Sequence, residues 1–293
     1  MKLQSIITTA LFLLIIQAVS VFAPLHTLAA DINSSDTQAN DTYVKKRPPS
    51  AQEILTGRQN IVLRARQVNE IEWTPLRNVI RWNNRGVFKA GETVKGLPYG
   101  FPPEANYVPI RTSFSEFLEE VNNKNSQFYT KVATRHADAP YFSLDCSAFV
   151  SWAWGLEERL MTGSLYTVSE NLGTDMKQIQ VGDALNKPRV HVVLVTYIKR
   201  NNGGEISSIG IMELYYPKSR YTVYGEEGDL PLIEVSRRYL NNGYSIIRYN
   251  DVANVVYLHD CAVPLDFDYC TLCIGDNVKL NKNDKFRNGY LLY

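Results

Sequence analysis

Two runs of β-branched and aromatic residues, separated by a glycine-rich break, constrain the fold most. The runs are VHVVLVTYI at 190–198 and IGIMELYY at 209–216, with KRNNGGE between them. Such residues favour strands, and a short glycine-rich connection joins antiparallel neighbours as a hairpin. The later runs LPLIEV, YSIIRY and NVVYL predict further strands. The sequence therefore predicts a mostly antiparallel sheet.

Helical signals come before these strands. Ser50 with Glu53, and Ser113 with Glu116, have the spacing of capping boxes and predict a helix after each serine. The segment FSLDCSAFVSWAWGL at 142–156 is apolar on nearly all sides, which indicates a buried helix. Helices followed by a series of strands are typical of the α+β class, and they argue against a doubly wound parallel sheet.

The chain divides into four predicted regions. Lys2 precedes a long apolar stretch that ends in small residues before Asp31, which is the layout of a secretory signal peptide; a membrane anchor is the alternative. The next residues are polar and predict a disordered linker. The regions are a signal at 1–30, the linker at 31–49, one folded domain at 50–258 and a cysteine-containing C-terminal extension at 259–293. We expect an exported protein, secreted or in the cell envelope, without stable membrane insertion after signal cleavage.

The charge of the mature chain argues against two classes of partner. The predicted signal contains one of the 31 Lys and Arg residues and none of the 30 Asp and Glu residues, so the remainder is 30 minus 30, or zero. Nucleic-acid binding and electrostatic attachment to an anionic membrane both require a basic excess. The sequence therefore predicts neither.

Cys146 is the candidate nucleophile. It lies between Asp145 and Ser147 at the start of the predicted buried helix. A helix N-terminus offers free N–H groups and the positive end of the helix dipole, which stabilise a thiolate and a developing oxyanion. An inert buried thiol is the alternative interpretation.

His191 is the candidate base. Beyond the signal, the histidines are His136, His191 and His259, and His191 alone opens an apolar strand, where an unsatisfied imidazole is unfavourable. Glu213 is the acidic residue of the facing strand and the candidate for orienting the imidazole. A hairpin loop with an odd number of residues places Glu213 directly opposite His191, whereas an even loop turns it to the other face. The sequence leaves both registers open.

The C-terminal extension carries a separate cluster of soft ligands. A disulfide is the first interpretation, and a zinc site or a redox Cys-x-x-C are the alternatives. The catalytic chemistry predicted for Cys146 requires no metal and no cofactor. The residues of the cluster are His259, Cys261, Cys270 and Cys273.

Three segments together resemble a known family. DCSAFVSWAWG resembles the nucleophile motif of the NlpC-type cell-wall cysteine peptidases, and VGDALNKPRVHVVLVT resembles their histidine motif. GLPYGF resembles their upstream Gly-x-Pro-Tyr element. The chain departs from the family at Ala148, where glycine is usual, and in a longer segment between Tyr99 and Cys146.

The resemblance implies a papain-like fold, with N-terminal helices and a nucleophile helix packed on a mostly antiparallel sheet. It also implies hydrolysis of peptide bonds in peptidoglycan stem peptides, commonly next to D-glutamate, so peptidoglycan is the expected partner. The positions carried over are Cys146 as nucleophile and His191 as base and then acid, with Glu213 in the third place. Tyr99, and with it Asp145 and Ser147 beside the cysteine, are expected to contact substrate.

Two other functions remain open on this sequence. The same residues would serve an acyltransferase or an amidase acting on a non-wall substrate. Ala148 and the unusual Glu213 instead favour a catalytically silent, secreted binding or adhesion protein on the same scaffold.

Overall fold

The computed structural model describes residues 47–133, 139–258 and 262–263. The predicted signal and nearly all of the predicted linker lie outside this part of the chain. His136 also lies outside it, and so does the C-terminal cluster of one histidine and three cysteines. The described residues from Pro48 onward belong to one compact unit. Within the described ranges, no helix has the length and hydropathy that crossing a bilayer requires.

Five α-helices and ten strands form the regular structure of the described residues. The helices are α1 (Ala51–Glu70), α2 (Phe114–Val121), α3 (Gln127–Thr130), α4 (Cys146–Ala153) and α5 (Ile233–Arg238). The strands are β1 (Glu72–Trp73), β2 (Val79–Ile80), β3 (Val87–Phe88), β4 (Val94–Lys95), β5 (Ser169–Gly173), β6 (Ala184–Lys187), β7 (His191–Arg200), β8 (Ile206–Leu214), β9 (Ser219–Gly225) and β10 (Ser245–Tyr249). Short 3-10 helices lie at Trp82–Asn84, Glu104–Asn106, Leu165–Thr167, Met176–Gln178, Leu240–Asn242 and Val252–Asn254.

Six strands form one sheet in the order β5-β10-β6-β7-β8-β9, and every neighbouring pair is antiparallel. The short strands form two additional pairs, β1 with β4 and β2 with β3. The predicted α+β class with a mostly antiparallel sheet is therefore confirmed.

Both predicted capping boxes are present. The Ser50 side chain accepts a hydrogen bond from the Glu53 N–H, and the Glu53 carboxylate accepts one from the Ser50 N–H. Ser113 and Glu116 make the same reciprocal pair at the start of α2. Each box satisfies N–H groups that the first helical turn leaves without partners, so the chain fixes both helix starts locally.

The predicted buried helix is α4, and all eight of its residues are buried. It lies between α1 on one side and strands β7 and β8 on the other. A helix surrounded in this way needs apolar residues around its whole circumference, which explains the composition of FSLDCSAFVSWAWGL. This packing holds the N-terminal end of α4 against the sheet.

The β7–β8 hairpin decides the register that the sequence left open. The strands end at residue 200 and begin again at 206, so the connection has five residues, 201–205, an odd number. Leu194 lies opposite Met212. Continuing this register places Glu213 on the same face as His191 but diagonally, two positions along. The directly opposite pairing was wrong because it needs a three-residue connection. The two further residues displace the pairing by two positions, and the two register shifts cancel each other before His191.

The strand predicted for LPLIEV was wrong, because this segment leads into α5. Leu232, Val235 and Tyr239 recur at helical spacing. They pack in one apolar cluster with residues of β7 and β8, among them Val193 and Ile211. Ile233, between Leu232 and Val235, is largely exposed. The spacing of the buried side chains follows a helix with a period of 3.6 residues rather than a strand with a period of two.

The strand predicted for NVVYL was also wrong. After the 3-10 helix at Val252–Asn254, this segment runs as irregular backbone along α1. Its carbonyl groups accept hydrogen bonds from α1 side chains instead of from a neighbouring strand. The pairs are Asn60 Nδ2 to Val255 O at 2.8 Å, Arg64 Nη1 to Val256 O at 3.0 Å and Gln67 Nε2 to Leu258 O at 2.9 Å.

Candidate active site

Cys146 is the first residue of α4 and a free cysteine. Asp145 is the N-cap, and its Oδ1 accepts a hydrogen bond from the Ala148 N–H at 2.8 Å. The thiol is 5 % exposed. The sequence prediction that Cys146 lies at the N-terminus of a buried helix is therefore confirmed, with the cap immediately before it.

His191 at the start of β7 and Glu213 on β8 form a direct hydrogen bond between the two strands. The distance from His191 Nε2 to Glu213 Oε2 is 2.8 Å, and both side chains are more than nine-tenths buried. A carboxylate only accepts hydrogen bonds, so Nε2 carries the proton. This leaves Nδ1 as the ring nitrogen available to Cys146.

The surroundings of His191 favour its protonated form. Burial alone lowers the pKa of the imidazole, but hydrogen bonds and charge interactions with Cys146 and Glu213 outweigh it and raise the pKa from 6.5 to about 9. The imidazole therefore holds its proton at neutral pH. In cysteine nucleophiles generally, a charged imidazole next to the sulfur stabilises the thiolate form.

Arg220 completes the surroundings of Glu213, and the sequence analysis missed it. It lies on β9 opposite Glu213, and its Nε donates to Glu213 Oε1 at 2.7 Å. Burial raises the pKa of Glu213, yet the hydrogen bonds and charges of His191 and Arg220 lower it below its usual value. Glu213 is thus an ionised carboxylate held between two cations.

Tyr99 lies beside the thiol, as its place in the GLPYGF segment predicted. Burial raises the pKa of Tyr99 well above its ordinary value. The charge of Cys146, and a hydrogen bond with it, raise the pKa further. The hydroxyl therefore stays protonated and can donate. Its ring packs edge-on against Trp82, with centroids 4.9 Å apart, and Tyr215 lies 5.2 Å from the His191 ring. Aromatic side chains thus form one wall of the site.

Asp145 and Ser147 flank the nucleophile in sequence, and both are buried. Ser147 Oγ donates to Asp145 Oδ1 at 2.8 Å, and the Tyr107 hydroxyl donates to Oδ2 at 3.0 Å. Arg159 Nη2 forms an ion pair with the same oxygen at 2.7 Å. These partners make Asp145 the centre of a network that fixes the start of α4, and the expected contact of Asp145 and Ser147 with substrate stays a prediction.

Tyr107 and Arg159 were not anticipated. Tyr107 follows a short 3-10 helix, and Arg159 follows the end of α4, so neither belongs to a local pattern that includes Asp145. Within the described ranges, no group of three or more His, Cys, Asp or Glu side chains is arranged to hold a metal ion. The groups that the site brings together are the thiol of Cys146, the imidazole of His191, the carboxylate of Glu213 and the phenol of Tyr99.

No family model matches this chain, and comparison with curated proteins and with solved structures likewise gives no match.

Proposed function

We propose that this chain is a cysteine hydrolase of the NlpC type that cleaves peptide or amide bonds in peptidoglycan stem peptides. The observation that carries the proposal is the hydrogen-bonded His191–Glu213 pair beside Cys146 at the N-terminus of a buried helix. A nucleophile, a base and a group that orients the base are the components that covalent catalysis requires. Glu213 takes the third place as a carboxylate, which also stabilises the charged imidazole.

The proposed reaction begins with attack of the Cys146 thiolate on the carbonyl carbon of the scissile bond. Two backbone N–H groups at the start of α4, those of Cys146 and Ser147, have no acceptor among the described residues, whereas the next two are bonded to Asp145. They are the proposed donors to the oxyanion. His191 then gives its proton to the leaving amine, and water activated by the neutral imidazole hydrolyses the thioester.

The wall substrate is proposed from the three sequence motifs that resemble the NlpC-type peptidases. Support comes from the helix-on-antiparallel-sheet arrangement and from the position of Tyr99 next to the thiol. We extend the proposal to a papain-like fold, to export through the N-terminal signal and to peptidoglycan as the partner. The balanced charge of the mature chain is consistent with a neutral or mixed-charge substrate rather than a nucleic acid.

Digestion of purified peptidoglycan tests this function. The chain from Asp31 is incubated with walls of several stem-peptide types beside its Cys146→Ala and His191→Gln variants, and products are identified by mass spectrometry. We expect new peptide ends from the wild type and none from either variant. Absence of product from the folded wild type on every wall type would refute the wall substrate.

Reaction of Cys146 with iodoacetamide tests the assignment of Cys146 as nucleophile independently of the assignment of peptidoglycan as substrate. Rapid alkylation at neutral pH that His191→Gln slows would retain the cysteine hydrolase assignment with another amide as substrate. A thiol that reacts no faster than a small-molecule thiol would refute the catalytic assignment itself.

A further inference from the structure

A cavity lies at the end of α4 opposite Cys146. Its volume is about 480 Å³, within the range of pockets that bind small molecules. It is open to solvent and bordered by α1, the residues after α4 and the irregular segment at 255–258. None of the residues proposed for catalysis lines it.

Arg64 of α1 lines this cavity and is 4 % exposed. Its Nε donates to the Trp152 carbonyl at 2.7 Å and its Nη1 to the Val256 carbonyl at 3.0 Å, while the guanidinium lies 3.8 Å from the centre of the Trp152 ring. A guanidinium has five N–H groups, so donors remain for another partner. The backbone carbonyls orient the group, and the Trp152 carbonyl at the C-terminal end of α4 supplies only the partial negative charge of the helix dipole.

No carboxylate within the described ranges pairs with Arg64. Burial lowers the pKa of Arg64 to about 10, and in the part of the chain that the structure describes no acidic side chain raises it again. A buried cation is usually accompanied by a counter-charge, because removing it from water is unfavourable. An anion that enters the cavity can therefore supply a full counter-charge to Arg64.

The cavity also has an apolar wall. Val256 and Leu258, with exposed fractions of 63 % and 54 %, line it beside the partly buried Leu156 and Ile110. Large apolar side chains left exposed at the mouth of a cavity indicate contact with an apolar group. A ligand that fits this site therefore has an apolar body as well as an anionic group.

The charged groups at the rim limit the anion to one of low charge. Glu157 and Asp251 also line the cavity and are exposed. Their two carboxylates repel every anion, and the repulsion grows with the charge of the anion, so a singly charged carboxylate is opposed less than a phosphate dianion. This favours a monocarboxylate.

We propose that this cavity is a second binding site, separate from the candidate active site, for a small organic monocarboxylate with an apolar body. The carboxylate binds the Arg64 guanidinium, and the body packs against Val256 and Leu258. The C-terminal residue of a peptide and a short fatty acid both have this chemistry, so two probes distinguish the sources.

The test is calorimetric titration of the chain from Asp31, and of its Cys146→Ala variant, with N-acetyl-leucine, N-acetyl-leucinamide and octanoate. We expect saturable binding of at least one of the two acids, with the same affinity in both proteins. If the peptide-like acid is the ligand, the neutral amide binds at least tenfold more weakly than N-acetyl-leucine. Tighter binding of octanoate identifies an aliphatic acid instead. Absence of saturable binding of both acids, or equal binding of N-acetyl-leucine and its amide without binding of octanoate, would overturn the proposal.

Two variants locate the site. Arg64→Met is expected to weaken binding of the acid at least tenfold, but Arg64 also contacts α4 and this variant can fail to fold. Val256→Asp changes an exposed side chain at the cavity and is expected to weaken binding by a similar factor, with iodoacetamide labelling of Cys146 unchanged. Unaltered affinity in folded Val256→Asp would place the bound acid elsewhere and refute this site.

Discussion

Glu213→Gln isolates the charge of the third residue in the candidate site. The rise in the pKa of His191 from 6.5 to about 9 corresponds to ~3 kcal/mol in favour of the imidazolium, at 1.36 kcal/mol per pH unit. Cys146 and Glu213 supply this stabilisation against the opposing effect of burial. Glutamine keeps an oxygen that accepts the Nε2 hydrogen bond but removes the negative charge. A charge-assisted hydrogen bond exceeds a neutral one by ~1 to 1.5 kcal/mol, so we expect the pKa of His191 to fall by about one pH unit.

The direction of the expected change in the pKa of His191 follows from the charge that is removed. Loss of an anion beside a cation destabilises the cation, so His191 loses its proton at lower pH and the alkaline limb of hydrolysis moves down with it. The pKa is measured by NMR titration of histidine-labelled protein, with the His191 signal assigned from His191→Gln. An unchanged or higher pKa in a folded Glu213→Gln protein would refute the charge interaction.

Arg220→Gln is the matched control for this measurement. It removes the other partner of Glu213 but keeps the carboxylate beside His191. With one cation gone, the carboxylate stabilises the imidazolium at least as well, so the pKa of His191 stays the same or rises. A fall in both variants would mean that the shift reflects disturbed packing and not the charge of Glu213.

Three other substitutions test contacts described above. Tyr99→Phe removes a hydroxyl beside the thiol and should lower the rate of hydrolysis about 100-fold with an unchanged thermal midpoint; a rate within twofold of wild type would exclude a role for that hydroxyl. Asp145→Asn leaves Arg159 without its counter-charge and should lower the free energy of unfolding by about 3 kcal/mol in urea denaturation, and a loss below about 1 kcal/mol would contradict the network. Gly57→Ala places a Cβ 1.8 Å from the Val252 carbonyl oxygen and should cost about 2 kcal/mol in the same assay; full stability would show that α1 does not approach this closely.

The parts of the fold that the sequence predicted are those with a local physical signal. Capping boxes marked the starts of α1 and α2, and apolar composition marked α4. The turn chemistry and the β-branched runs marked β7 and β8. In each case a single segment contains the hydrogen-bonding or burial pattern that decides its structure.

The incorrect and missing elements depend on partners that are distant in sequence. NVVYL has strand-like composition, but side chains of α1 take its carbonyl groups. The edge strands β5 and β9 each have several exposed or half-buried residues, so their sequences contain no apolar run from which a strand could be predicted. Their strand conformation follows from pairing with a neighbour that the sequence does not specify locally.

The candidate site divides in the same way. Cys146 and His191 stand out because each begins an apolar element, and Glu213 because it interrupts one. Whether Glu213 shared a face with His191 depended on the hairpin register, which is set by the length of the connection, and the sequence does not give that length. Arg220 and Arg159 reach the site through tertiary packing, and an arginine in a polar segment gives no sign of such a role.

The division of the candidate site between one hairpin and one helix has a consequence for the newly made chain. His191 and Glu213 are 22 residues apart on adjacent strands, so a single local hairpin brings them together. Cys146 joins them only when α4 docks between α1 and the sheet, which requires the whole domain. Until then the thiol has neither its base nor its oriented N–H groups. If Cys146 acts as proposed, a partly folded chain is therefore inactive, and completion of the fold is the step that makes it active.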